Sequence, residues 1–267
     1  MREVLLYDAG DLRLVESPMP KVGPDDVLVK IKVCAVCPTD IRKYKHGSKS
    51  PLVHLPMNLG HEWAGDVAEI GKNVKDVEIG MRVIGGGFSG YAEYATIDKE
   101  TFQLFGRVLE LPKEASYEEA TFVEPLADCI HSIVEQAKAK VGDCVYIAGA
   151  GQMGLQHMMV ASMVGAKTIV SETYEPRIEW AKKLGADYTL NPNKEDPVET
   201  VKKMTGGSMA DSAIATVGVP EVILQCIKVT RPKGRVVIFG GAPGGTIVQL
   251  DPNLLHYSEI ELTGSSW

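Results

Sequence analysis

Hydrophobic and polar positions along the chain fall into two rhythms, and the change comes near residue 126. Before it, apolar residues come in short runs cut by Gly and Pro. Residues 27–33 place the β-branched side chains of Val27, Val29, Ile31 and Val33 on one face, the period of two that marks a strand. Residues 65–71, 81–84 and 91–97 read as further strands, joined by turns at Gly71-Lys72-Asn73 and Gly80. Residues 1–8 read as a strand entering an acidic turn. Strands this short, with this much glycine, predict a curled, barrel-like antiparallel sheet.

Beyond residue 126, strands alternate with helices. A strand at 145–148 precedes a helix at 152–164, and a strand at 168–171 precedes a helix at 176–184, opened by Pro176 and followed by Gly185. Strands at 188–190, 213–217, 235–239 and 259–263 continue the series. This alternation predicts a parallel sheet with helices on both faces. The fold class is therefore α/β, with two domains at 1–126 and 127–267.

Composition narrows the picture. The 267 residues are 45% apolar and 24% charged, as in a soluble globular chain with a real core. A net charge of -7 argues against nucleic acid as a partner, because phosphate binding needs a basic surface. No apolar run approaches the roughly 20 residues of a membrane helix, and residues 1–8 lack the apolar stretch of a signal peptide. Five scattered cysteines (34, 37, 129, 144 and 226) fit a reducing cytoplasm better than a disulfide framework.

Two stretches carry candidate chemistry. Gly149-Ala150-Gly151-Gln152-Met153-Gly154 ends a strand and opens a helix, the context in which such a loop binds a dinucleotide. Gly149 permits the sharp turn, Gly151 lets a pyrophosphate approach, and Gly154 lets the helix pack close to the sheet. The helix start, with Gln152 and Met153, presents free N–H groups to the phosphates. Glu172 ends the second strand, where a carboxylate accepts ribose hydroxyls and repels a 2′-phosphate, favouring NAD over NADP. Arg177, in the helix that follows, completes the cofactor set. Met153, Met158, Met159 and Met163 read as packing of a buried helix rather than a cofactor box.

The second stretch concerns metal. Cys34 follows a strand and reads as core, whereas Cys37 opens a polar turn. With His61 it offers zinc one sulfur and one imidazole, and a carboxylate would complete a three-ligand catalytic set. Two acids compete for that place: Glu62, beside His61, and Glu124 in Phe122-Val123-Glu124-Pro125-Leu126-Ala127.

The segments VCPTD, GHEWAGDV, FVEPLA and GAGQMG stand in the order and spacing of the zinc-dependent medium-chain alcohol and polyol dehydrogenases, which the chain resembles over nearly its whole length. It is most similar to the sorbitol and threonine dehydrogenase branch, because EPLA carries Glu124 where other alcohol dehydrogenases have cysteine. The resemblance implies a GroES-like catalytic domain followed by a Rossmann doubly wound sheet, one catalytic zinc, NAD and a small-molecule alcohol substrate. It implies Cys37 and His61 as zinc ligands, Glu62 as an acid that ligates zinc in some members, and Glu124 as third ligand or as the acid orienting zinc-bound water. Thr39 would take the proton of the substrate alcohol as zinc stabilises the alkoxide, and Asp40 would orient the histidine. Without the resemblance, Thr39 and Asp40 read as a helix N-cap pair after Pro38. A homodimer or homotetramer would form through the edge strand near 259–263.

Three departures bear on these expectations. No cysteine lies between 38 and 128, so the four-cysteine structural-zinc lobe of the family has no counterpart. Family members run on by some tens of residues past the position of Trp267. Arg42 stands at a proton-relay position where histidine is common, with His46 and His54 nearby. The competing readings are a zinc-free quinone-reductase-like enzyme and a nucleotide-binding module without turnover.

Overall fold

The computed structural model describes residues 1–47, 54–87, 89–98 and 108–266. The chain divides into two compact units, Met1–Glu124 and Pro125–Trp267.

The first unit holds two antiparallel sheets. Strands β1 (Arg2–Asp8), β2 (Asp11–Glu16) and β4 (Met57–Asn58) lie in the order β2-β1-β4. Strands β3 (Val27–Cys34), β5 (Trp63–Ile70), β6 (Arg82–Gly85), β7 (Tyr94–Ile97) and β8 (Leu109–Glu110) lie in the order β7-β3-β5-β6-β8. A bridge between Glu3 and Ala92 links the sheets. The central β3–β5 pair shifts register twice, between Leu28 and Val29 and between Ile31 and Val33. Such bulges bend and twist a strand, which gives the sheet its curl. Val27, Val29, Trp63, Val67, Val83, Ala95 and Ile97 pack together as its buried core. Among the described residues of the unit there are two helices, α1 (Pro38–His46) and α2 (Tyr117–Ala120). The chain passes to the second unit within α3 (Val123–Ile130), which continues as a π-helical segment, His131–Gln136.

The second unit is one parallel sheet of β9 (Cys144–Ala148), β10 (Lys167–Ser171), β11 (Tyr188–Leu190), β12 (Ala210–Ala215), β13 (Thr230–Ile238) and β14 (Glu261–Gly264). Its order is β11-β10-β9-β12-β13-β14, so the winding reverses at β9 and leaves a crevice at the strand ends there. The crossovers contain α4 (Gln152–Met163), α5 (Glu175–Lys183), α6 (Pro197–Met204) and α7 (Pro220–Val229), with a short α8 (Asn253–His256) before β14. Both sheet faces are apolar, with Val145 and Ile147 in one cluster and Tyr146, Ile169 and Ala213 in the other. That is the pattern of a sheet covered on both sides.

Local corrections have physical causes. The strand expected from residue 91 begins only at Tyr94, because the Tyr91 N–H bonds instead to Leu59 O. The last strand starts at Glu261 rather than 259, since Glu259 takes a positive φ of 50° in the preceding turn. Among the methionines of α4, Met158 is buried but Met159 and Met163 are exposed, so the packing role expected of all four holds for only part of them. Among the described residues no helix is long and apolar enough to cross a membrane.

Candidate metal centre and cofactor loop

The metal candidates gather around the start of α1. Pro38 opens this helix, where its fixed φ suits the first turn and its missing N–H is not needed. Cys37 thereby becomes the N-cap residue, in extended backbone geometry. Asp40, in the first turn, reaches back, and its Oδ2 accepts the Cys37 N–H at 3.1 Å. This corrects the N-cap reading of Thr39 and Asp40: the cap is Cys37, and Asp40 is the acid that closes the capping box. Thr39 is half-buried, and its Oγ1 accepts from Arg42 Nη2 at 3.3 Å.

The turn before β5 supplies the other ligands. Gly60 has φ +80°, and a Cβ there would stand 2.6 Å from the Tyr91 ring and 2.7 Å from Cys34 Sγ, so only glycine fits. Its N–H donates to Asp40 Oδ1 at 3.1 Å. The next residue, His61, brings Nδ1 to 3.5 Å from the same oxygen. Asp40, 2% exposed, thus holds the Cys37 segment and the His61 turn together from below.

The electrostatics favour a cation. Burial works to raise the Asp40 pKa, but His61 and the N–H groups of Gly60 and Cys37 outweigh it and hold the carboxyl below the usual range. Burial works to lower that of His61, and hydrogen bonding to Asp40 and Cys37 overturns this, lifting it to about 10. The donor atoms of Cys37, His61 and Glu62 all lie within 4.8 Å of one another. A thiolate, an imidazole and a carboxylate form a three-ligand set of the kind zinc takes at a catalytic site, leaving a fourth position open. A carboxylate behind the imidazole is the usual support for such a ligand. The residues present therefore fit zinc. Glu124, half-buried in the first turn of α3, stands outside this grouping.

The glycine loop occupies the turn between β9 and α4. Gly149 donates its N–H to Ser171 O at 2.7 Å, tying the loop to the end of β10. Gly151 caps α4, and Gln152 and Met153 form its first turn. A Cβ on Gly154 would lie 2.0 Å from Gly149 O, which forces glycine where the helix passes closest to the loop. Glu172, 8% exposed, follows β10. Its Oε2 accepts the Ala150 N–H at 2.9 Å, and its Oε1 accepts those of Thr173 at 2.7 Å and Tyr174 at 3.0 Å. Although burial works to raise its pKa, these bonds lower it, so the group is an anion at neutral pH. Arg177 Nη1 stands 3.8 Å from Oε2.

One participant is absent from the motifs. Tyr91, before β7, donates its hydroxyl to Asp40 Oδ2 at 3.2 Å. Its only signal in sequence is the glycine-rich run that ends just before it, at Gly90.

Comparison with known proteins matches the model described as alcohol dehydrogenase GroES-like domain to residues 23–131 and that described as zinc-binding dehydrogenase to residues 153–267. The chain is 32% identical to L-threonine 3-dehydrogenase of Pyrococcus horikoshii, over 94% of this chain and 78% of that protein. It is 30% identical to sorbitol dehydrogenase of Gallus gallus, over 90% and 75%. A crystal structure from Sinorhizobium meliloti 1021, of a protein described as a zinc-binding dehydrogenase bound to NADP, superposes with a TM-score of 0.89. It is 27% identical and covers 99% of this chain and 83% of that one.

Proposed function

The chain belongs to the zinc-dependent medium-chain alcohol and polyol dehydrogenase family, and we propose that it oxidises a secondary alcohol of a polyol, sugar or threonine-like substrate, with NAD as hydride acceptor. The observation that carries this reading is the grouping of Cys37, His61 and Glu62 over Asp40. Zinc, when bound, supplies Lewis acidity at the substrate oxygen. Cys37, His61 and a glutamate would hold it; Glu62 is the carboxylate grouped with the other two, and Glu124 is the alternative the family pattern keeps open. Asp40 Oδ1 stands 3.5 Å from His61 Nδ1, so Nε2 would be the nitrogen left to the metal. Thr39 Oγ1 would take up the proton leaving the substrate hydroxyl while releasing its own to solvent; the Arg42 guanidinium, which donates to that oxygen at 3.3 Å, disfavours a lasting positive charge there.

Glu172 supports NAD. A carboxylate has about four acceptor positions; Oε1 already takes two backbone N–H groups, while Oε2 takes one and keeps room for a ribose hydroxyl. The second reading is NADP, favoured by the NADP-bound neighbour and by Arg177, which could turn to a 2′-phosphate. The assembly we propose is a homodimer or homotetramer built on the exposed edge of β14. The five cysteines are free thiols, which suits a cytoplasmic setting.

The deciding experiment couples zinc analysis to a screen of NAD and NADP reduction over polyols, sugars and threonine. About one zinc per chain and NAD-linked turnover are expected. A metal-free preparation that still oxidised polyols would refute the zinc reading.

A further inference from the structure

We propose that Tyr91 is a positioning residue of the metal centre, acting through Asp40; this rests on the zinc reading of Cys37 and His61. Asp40 can orient His61 only if its carboxylate is held in one plane. Among the contacts described, four groups face its two oxygens, and the buried Lys43 ammonium adds its charge nearby. Oδ1 takes the Gly60 N–H and faces His61 Nδ1, while Oδ2 takes the Cys37 N–H and the Tyr91 hydroxyl. The backbone donors come from the two segments that Asp40 joins. Tyr91 is its one further side-chain donor among the contacts described, and it comes from a third segment.

That hydroxyl is aimed rather than incidental. The Tyr91 backbone is fixed on both sides: its N–H meets Leu59 O at 3.0 Å and Asn58 Oδ1 at 3.2 Å, and its carbonyl accepts the Val4 N–H at 2.8 Å. Its ring lies where a Gly60 side chain would be, so the absence of a Cβ at Gly60 seats the ring and leaves its hydroxyl over Asp40. The alternative acceptor, Ala35 O, is at 3.5 Å, and the charged carboxylate at 3.2 Å is the stronger partner. Removing the hydroxyl leaves Oδ2 with one donor and frees the carboxylate to rock away from His61. The expected cost is a loss of zinc affinity smaller than the 10–100-fold typical of removing a ligand's direct partner, because Tyr91 stands one layer further out.

The test uses the full chain and three variants: Tyr91→Phe, Asp40→Asn and both together. Zinc affinity is read by chelator competition, the ligand field from the absorption of the cobalt(II)-substituted protein, and folding by thermal midpoint. Tyr91→Phe keeps the ring on Gly60, so we expect an unchanged midpoint, zinc affinity lower by roughly three- to tenfold and a shifted cobalt spectrum. In the Asp40→Asn background it should cost nothing more, since the two act as one unit. Equal zinc affinity and identical cobalt spectra for wild type and Tyr91→Phe would overturn the inference while leaving the zinc site standing. So would a lowered midpoint with an unmoved spectrum, which assigns the hydroxyl a structural part only. A wild-type protein that takes up no zinc would overturn the metal reading itself and this inference with it.

Discussion

At the scale of single residues, two glycines of the same loop should behave differently. Gly154 has Gly149 O at 2.0 Å from the position of a Cβ, whereas Gly151 has nothing within 4 Å and a φ of -72° that any residue adopts. Gly154→Ala should therefore overpack the strand–helix turn, costing about 1–3 kcal/mol and lowering the thermal midpoint by several degrees. Gly151→Ala should fold as the wild type does, because its added methyl meets only the ligand. Its effect should be a dinucleotide affinity about tenfold weaker or more, roughly 1.4 kcal/mol, read by NADH fluorescence titration at an unchanged midpoint. A Gly151→Ala protein that binds NADH normally would mean the pyrophosphate does not pass over this residue.

At the scale of elements, α4 carries a pH dependence of its own. His157 is fully buried on it; Nδ1 bonds to Met153 O at 2.7 Å and its ring meets Phe239 edge-on. Burial pushes its pKa down to about 4, below the 6.5 of the unfolded chain. Protonation therefore favours unfolding. The stabilisation is complete above about pH 6.5 and is lost as pH falls toward 4, by about 3 kcal/mol at most. Urea midpoints between pH 7.5 and 4.5 should fall in the wild type and fall less steeply in His157→Phe; parallel curves would exclude this residue. The elements differ in how readable they were. The strands and helices around β9, β10, α4 and α5 are visible in the apolar rhythm, because a doubly covered sheet needs near-continuous apolar strands. Helices α6 and α7 fall outside the segments that rhythm singles out, though each opens on Pro. Helix α1, a polar PTDIRKYKH, owes its definition to Pro38, the Cys37 cap and Asp40 rather than to an apolar stripe, so the sequence shows only its start, as a polar turn with an N-cap pair after Pro38.

At the scale of the whole molecule, the candidate metal ligands and the glycine loop lie on different units of the chain, so the functions proposed for them should separate on mutation. Cys37→Ser or His61→Ala should abolish zinc binding and alcohol turnover while NADH binding stays within a factor of about two. Loss of both together would point to unfolding, which circular dichroism would reveal. The exposed edge of β14 should pair with its twin, so light scattering should report a dimer or tetramer, and Leu262→Pro, which removes a backbone donor from that open edge, should yield monomer. A wild-type monomer would end that expectation. The ligand candidates were legible because cysteine, histidine and glutamate in family-like motifs are few. The choice between Glu62 and Glu124 was not, because sequence spacing carries no distances, and only the fold brings the Glu62 donor beside those of Cys37 and His61. Tyr91 was hidden for the same reason: its partner lies 51 positions away in the chain.

The seat of Glu172 has a practical consequence for redesign. Its carboxylate closes the glycine loop by taking the Ala150 N–H, so the side chain proposed to discriminate between cofactors also fastens the loop proposed to grip them. Exchanging it for a small neutral residue to admit NADPH would release that backbone amide and slacken the grip on either dinucleotide. Cofactor preference in this chain is not a detachable part: a successful switch must import a new acceptor for Ala150 along with the new selectivity.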